Sequence, residues 1–242
     1  MGYKVIVTGS GTRLAKEIAR SLAEDGHEIF IHYFSARESA EALRKQIIEG
    51  GGRAFSFCSD FNSLDSYSEL CRVAVRDMGS VDLLINSASA WDIGVGEGHS
   101  ADTLLGATID DWDYRMNVGA RAAFFLIQEF SNYLSASENG NVINILDTSI
   151  REPYLKHACH SVSKAALLCI TKIASKSLKS VRVNALELGK IIPENADLTG
   201  EIGHDSPAVR LVIDAIRFLI DDRSVDGLVL PVGCDRGSEL NA

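Results

Sequence analysis

The chain has 242 residues, 46% of them hydrophobic and 24% charged, with a formal net charge of -9. That length suits one α/β domain able to bury a large core. The acidic balance excludes nucleic acid and anionic membrane surfaces as natural partners. Five cysteines, Cys58, Cys71, Cys159, Cys169 and Cys234, are odd in number and lack C-x-x-C spacing. They read as free thiols of a reducing compartment, not as disulfides or metal ligands.

The opening residues YKVIVTG form a buried strand, since an unbroken β-branched run suits a parallel sheet covered on both faces. With strand and turn beginning this early, and no apolar run of membrane-spanning length, a soluble cytoplasmic protein without a signal peptide is expected. RLAKEIARSLAEDG follows as a helix with Leu14, Ile18, Ala19 and Leu22 on one stripe and Gly26 at its end. HEIFIHYF is the second strand. SARESAEALRKQIIEGG is the second helix, opened by Ser35 as N-cap. RAFSFCSD and VDLLINSAS read as strands three and four, with a helix over SLDSYSELCRVAVRDMG between them.

A Gly-rich loop from Gly94 to Gly106 then leads to a long helix over residues 108–135. Thr108 is its cap, and Asp110 and Asp111 lie in its favourable first turn. GNVINILDT is strand five, residues 156–178 another long helix, SVRVNALEL strand six, residues 206–222 a last helix and GLVLPVG strand seven. This alternation implies a single Rossmann-type domain, residues 1–242. A doubly wound, seven-stranded parallel sheet is flanked by helices, with right-handed crossovers and a ligand at the carboxyl ends of the strands beside strands one and four. A substrate loop is expected over about 189–206.

The first strand–helix junction reads TGSGTRLA, Thr8 to Ala15. A tight glycine turn before a helix N-terminus offers backbone N–H groups to a pyrophosphate. The second strand ends without the acid that would bond a ribose 2′-hydroxyl. His32, Ser35 and Arg37 lie at that corner, with Arg13 able to approach from the turn. Arginine pairs well with phosphate, so NADPH is expected over NADH.

At these residues the chain resembles the short-chain dehydrogenase/reductase family over nearly its whole length. Thr8-Gly9 matches the family's opening motif, and Asp60 its adenine-contacting acid. Asn86 to Ser89 stands at its N-N-A-G, Asn117 at its catalytic asparagine and Lys164 at the lysine of its Y-x-x-x-K. Within the family the chain looks most like pteridine and dihydromonapterin reductases. Arg13 and Ala15 replace the usual later glycines in a turn that continues Arg13-Leu14, IHYFSARESAEAL resembles their second-strand corner, NSASAW resembles their fourth-strand exit, and Asp147, thirteen residues before position 160, stands where most members carry serine.

That resemblance implies a cofactor site of Gly9, Arg13, Leu14, His32, Ser35, Arg37, Asp60, Phe61, Asn86, Ser87, Ala88, Ser89, Lys164, Gly189 and Ile191. It implies a substrate site of Arg13, Ser89, Trp91, Asp147 and His160, with Trp91 stacking a flat ring. Asn117 would hold a water linking its helix to Lys164, Lys164 would bind the nicotinamide ribose, and Asp147 would act as acid toward a pterin nitrogen. A homodimer or homotetramer through the two long helices is expected as well.

Two departures stand out. Glu187-Leu188-Gly189 replaces the family's P-G turn, and His160 replaces its tyrosine acid. His160 and Lys164 lie one helical turn apart and point the same way. Three readings stay open. The protein is a working NADPH reductase with Asp147 and His160 managing the proton; it is a dinucleotide-binding homologue without turnover; or the histidine supports a changed reaction. A metal site from His157, Cys159 and His160 lacks a fourth ligand at suitable spacing.

Overall fold

The computed structural model describes residues 2–90, 103–189 and 206–233. Seven parallel strands form one sheet: β1 Lys4–Val7, β2 Glu28–Tyr33, β3 Ala54–Cys58, β4 Leu83–Asn86, β5 Asn141–Asp147, β6 Arg182–Leu188 and β7 Val229–Val232. Their order is β3-β2-β1-β4-β5-β6-β7, so the winding reverses between β1 and β4, and a crevice opens at their carboxyl ends. The helices are α1 Arg13–Glu24, α2 Arg37–Glu49, α3 Ser66–Met78, α4 Ile109–Met116, α5 Ala122–Ala136, α6 Ala158–Ser177 and α7 Pro207–Asp221.

Residues alternate across each strand and divide the core in two. Val5 and Val7 of β1, with Ile29 and Ile31 of β2, face α1, α2 and α7, meeting Ile18, Leu22, Leu43, Val212 and Ile216. Ile6, Phe30, Leu84 and Val142 face the opposite layer, meeting Leu70, Leu126 and Phe130 of α3 and α5. Both layers exclude water, which is why the strands carry no polar alternation.

Three local expectations change. Ala36, not Ser35, is the N-cap of α2. Ser35 lies in the bend before it, where its carbonyl accepts from Arg37 N–H at 3.1 Å. The long helix starts as expected, with Thr108 and Asp111 in a reciprocal capping box. It is not uniformly α, however: Asn117–Arg121 forms a π-helical turn between α4 and α5. The helix expected from residue 156 begins at Ala158, after a 3-10 turn over Thr148–Ile150.

Candidate active site

The turn after β1 is held from two sides. Gly9 adopts φ 71°, and a Cβ there would sit 2.9 Å from the Ala88 Cα, so the position needs glycine. Thr8 Oγ1 accepts from Ser87 N–H at 2.9 Å and Ala88 N–H at 3.0 Å, tying β1 to the exit of β4. Beneath the turn lies His32, 2% exposed. Its Nδ1 accepts from Gly9 N–H at 3.1 Å, and its Nε2 bonds Ser59 O at 3.0 Å. An amide donor facing Nδ1 fixes the neutral Nε2–H tautomer. Burial pushes the His32 pKa down to about 4, in agreement.

His32 therefore shapes the cofactor turn from below; its ring does not open onto the corner where a 2′-phosphate was expected. Phe61 behaves similarly. Its ring is 3% exposed and stacks on His32 at 4.1 Å, so only its backbone is left to face a ligand. Ser35 and Arg37 are exposed at that corner. Arg13 is the sole non-glycine with positive φ among the described residues, at 55°. It occupies one of the positions where most of the family has glycine, and non-glycine residues take this region at a cost of about 1 kcal/mol or more.

At the end of β5, extended backbone at Asp147 turns its carboxylate toward α6. His160 Nε2 lies 2.7 Å from Asp147 Oδ2. Ser149 N–H donates to Asp147 Oδ1 at 3.0 Å, and the Ser149 hydroxyl bonds the same oxygen. Lys164, one turn along α6, is 4% exposed and donates to Ile145 O at 2.8 Å. Burial alone would raise the Asp147 pKa, but the His160 bond and the Lys164 charge overcome it and hold the carboxyl near 2. His160 is shifted below its ordinary value, chiefly by burial, with Lys164 and Arg115 adding to the shift and Asp147 opposing it. Burial also lowers Lys164. At neutral pH, then, Asp147 is ionised and accepts a hydrogen bond from a neutral His160 Nε2–H. A carboxyl in that state is not itself a proton donor.

Sequence reasoning missed three neighbours. Tyr154 lies parallel to the His160 ring at 6.4 Å, with its hydroxyl 2.7 Å from Thr148 Oγ1. Arg115, 4% exposed, donates to Ala90 O and so fixes the exit of β4 where it leaves Ser89, itself exposed. Buried Glu187 accepts from Arg151 Nε at 2.5 Å, tying the end of β6 to the connection after Asp147. An arginine two residues before Asn117 was the available signal for the second; nothing marked the other two.

The Asn117 side chain and Lys164 make separate bonds, Lys164 to Ile145 O and Asn117 to Asn62, on the loop after β3. Asn86 is buried and donates to Asn144 Oδ1 at 2.8 Å, while Asn144 Nδ2 donates to Thr171 Oγ1 at 2.8 Å on α6. Gly189 N–H donates to Val232 O at 2.8 Å, which closes the sheet beyond β6. Leu14 packs against the α1 side of the core. Trp91 and Ile191 lie outside the described residues, as do Cys234 and most of the expected substrate loop. Among the described residues no cluster of three or more His, Cys, Asp or Glu could hold a metal ion, and no helix is long and apolar enough to cross a membrane.

With fold and site in place, comparison with known proteins assigns the family. A model described as short chain dehydrogenase matches residues 3–202. The chain belongs to the short-chain dehydrogenase/reductase family, and it is an oxidoreductase of that type using a nicotinamide dinucleotide. It is 26% identical over 208 residues to 3-oxoacyl-(acyl-carrier-protein) reductase FabG of Staphylococcus epidermidis, covering 85% of this chain and 80% of that protein. A short-chain type dehydrogenase/reductase of Picea abies is also 26% identical, over 76% of this chain and 68% of its own. Among solved structures, a dehydrogenase/reductase of Sinorhizobium meliloti superposes with a TM-score of 0.80 at 27% identity, covering 96% of this chain and 93% of the other. Acetoin dehydrogenase YohF of Salmonella typhimurium also gives 0.80, at 23% identity and 96% and 94% coverage, and this likeness concerns the fold.

Proposed function

We propose that the protein is an NADPH-dependent reductase acting on a pterin or a similar flat heterocycle. The observation that carries this reading is the Asp147–His160 pair at the end of β5, 2.7 Å apart, where most of the family has serine and tyrosine. A ketone needs an acid placed on its oxygen. A ring C=N bond needs only hydride on carbon and a proton on nitrogen, which an imidazolium can deliver.

The residues fit the cofactor. Gly9 lets backbone approach closely, and since its own N–H is taken by His32, the amides at the start of α1 are those a pyrophosphate would meet. Arg13 and Arg37 suit a 2′-phosphate, Asp60 the adenine, Ser89 the nicotinamide edge and Lys164 the nicotinamide ribose. Bound there, the cofactor supplies hydride. Asp147 orients His160 and stabilises its protonated form, as a carboxylate does for an imidazolium in catalytic triads. His160 donates that proton to the ring nitrogen and is reprotonated from solvent. The matched 3-oxoacyl reductases favour a second reading, a 3-oxo thioester substrate, in which the missing tyrosine must be replaced by His160 itself.

Two copies are proposed to pair through α5 and α6, where Phe124, Val162 and Ile173 are 44%, 43% and 51% exposed.

The test is to titrate NADPH by fluorescence, then follow its oxidation with dihydrobiopterin, dihydromonapterin and acetoacetyl thioester. Tight binding with pterin turnover is expected. His160→Phe and Asp147→Asn should each lower kcat about a hundredfold or more. Because His160 titrates below its ordinary value, turnover should rise as pH falls below 7 and level off beneath the histidine's pKa. Binding without oxidation of any pterin sinks the reductase reading, and thioester turnover alone selects the second one.

A further inference from the structure

The loop after β3 is joined to the π-turn by bonds that the family motifs do not account for. Asn62 N–H donates to Asp60 Oδ1 at 2.9 Å, and Asn62 Nδ2 donates to the same oxygen at 3.1 Å. Asn62 Oδ1 in turn accepts from Asn117 Nδ2 at 3.1 Å. Both functions of one amide are thus used, the donor on Asp60 and the acceptor on Asn117. The loop is braced so that this geometry holds. Arg121, from the same π-turn, donates to Phe61 O at 3.1 Å and Asn62 O at 3.0 Å. Its Nε donates to the Tyr67 hydroxyl at 2.8 Å, and that hydroxyl donates to Phe61 O at 2.8 Å. Phe61 stacks on His32, which holds the Gly9 turn. A continuous path therefore runs from the dinucleotide turn through the Asp60 loop to Asn117.

We propose that Asn62 is a positioning residue: it transmits occupation of the adenosine end at Asp60 to the side chain of Asn117. This rests on the reading of Asp60 as the adenosine-contacting acid. When a ligand amine engages the Asp60 carboxylate, it competes for or redirects the oxygen that Asn62 donates to. The amide of Asn62 must then adjust, and its other end carries Asn117 with it. Arg121 and Tyr67 keep the loop backbone fixed, so the adjustment is confined to side chains. Such coupling prepares the π-turn before the nicotinamide half arrives.

The experiment needs no substrate. Adenosine fragments (2′,5′-ADP and 5′-ADP) are titrated into labelled protein, and the backbone amide of Asn62 and the side-chain amide of Asn117 are followed by NMR. In the wild type both signals should move with one dissociation constant. In Asn62→Ala the loop should still respond while the Asn117 response is lost. In Asn62→Asp, which keeps an acceptor for Asn117 Nδ2 but loses the donor to Asp60, the Asn117 response should be lost as well. Thermal melts check that each variant is folded. A loop response with Asn117 unmoved in the wild type, or an Asn117 response retained in Asn62→Ala, overturns the proposal. Absence of any fragment response at Asp60 and Asn62 overturns the adenosine reading beneath it as well, so the two failures are distinguishable.

Discussion

Two residues show how single side chains set this site. His32 must stay neutral, because its Nδ1 accepts the Gly9 amide. Its folded pKa of about 4 lies below the unfolded value of 6.5, so the unfolded chain binds the proton first. Stability should then fall as pH drops from about 6.5 to 4, by about 3 kcal/mol in all, and this dependence should flatten below pH 4. Melting curves across that range check it, and His32→Leu should remove the slope while costing about 1–3 kcal/mol at pH 7 through the orphaned Gly9 amide and Ser59 carbonyl. Arg13 poses the opposite case. Its left-handed backbone is tolerated for what the side chain does, so Arg13→Gly should raise the melting temperature yet weaken NADPH binding about tenfold. If both quantities fall together, Arg13 is structural only.

At the scale of elements, the π-turn between α4 and α5 is where helix packing and chemistry meet. Gly119 within it faces Ser163 of α6, and a Cβ there would lie 2.7 Å from Ser163 Oγ, which itself donates to His160 O at 2.7 Å. Gly119→Ala should push α6 away, cost about 1–3 kcal/mol and loosen His160 from Asp147. Calorimetry with a histidine NMR titration checks both, and an unmoved histidine spectrum would show that α6 accommodates the methyl. Nothing in the sequence announced this turn, since one extra residue in a helix barely alters a 3.6-residue hydrophobic period. The capping box at Thr108 was legible because its chemistry is local. Ser35 misled for the same reason: it has a cap's chemistry, but the chain bends once more before α2 begins.

At the scale of the whole molecule, the doubly wound sheet was readable because buried parallel strands must be apolar on both faces, and βαβ crossovers have one hand. The family resemblance supplied Asp147, and His160 and Lys164 could be brought together by helical spacing. The proton states could not, since they depend on burial and on Arg115 arriving from α4. The role of His32 was equally hidden, because it depends on the loop after β3 folding back beneath the turn. If α5 and α6 form the proposed interface, sedimentation should give a dimer or tetramer, and Ile173→Asp should shift it toward monomer without loss of NADPH binding. Monomeric wild type would sink that assembly.

The buried chain from Asn86 through Asn144 to Thr171 has one more consequence. Hydrophobic strands can slide past one another by a residue at little loss of burial, but amides cannot slide without losing every partner. A slip of β5 would break that chain and also turn Asp147 to the far side of the sheet. Proofreading of strand alignment, at the carboxyl end of β4, is therefore what keeps the carboxylate opposite its imidazole. A core redesigned with apolar residues in its place would gain freedom to misalign at the point where chemistry allows none.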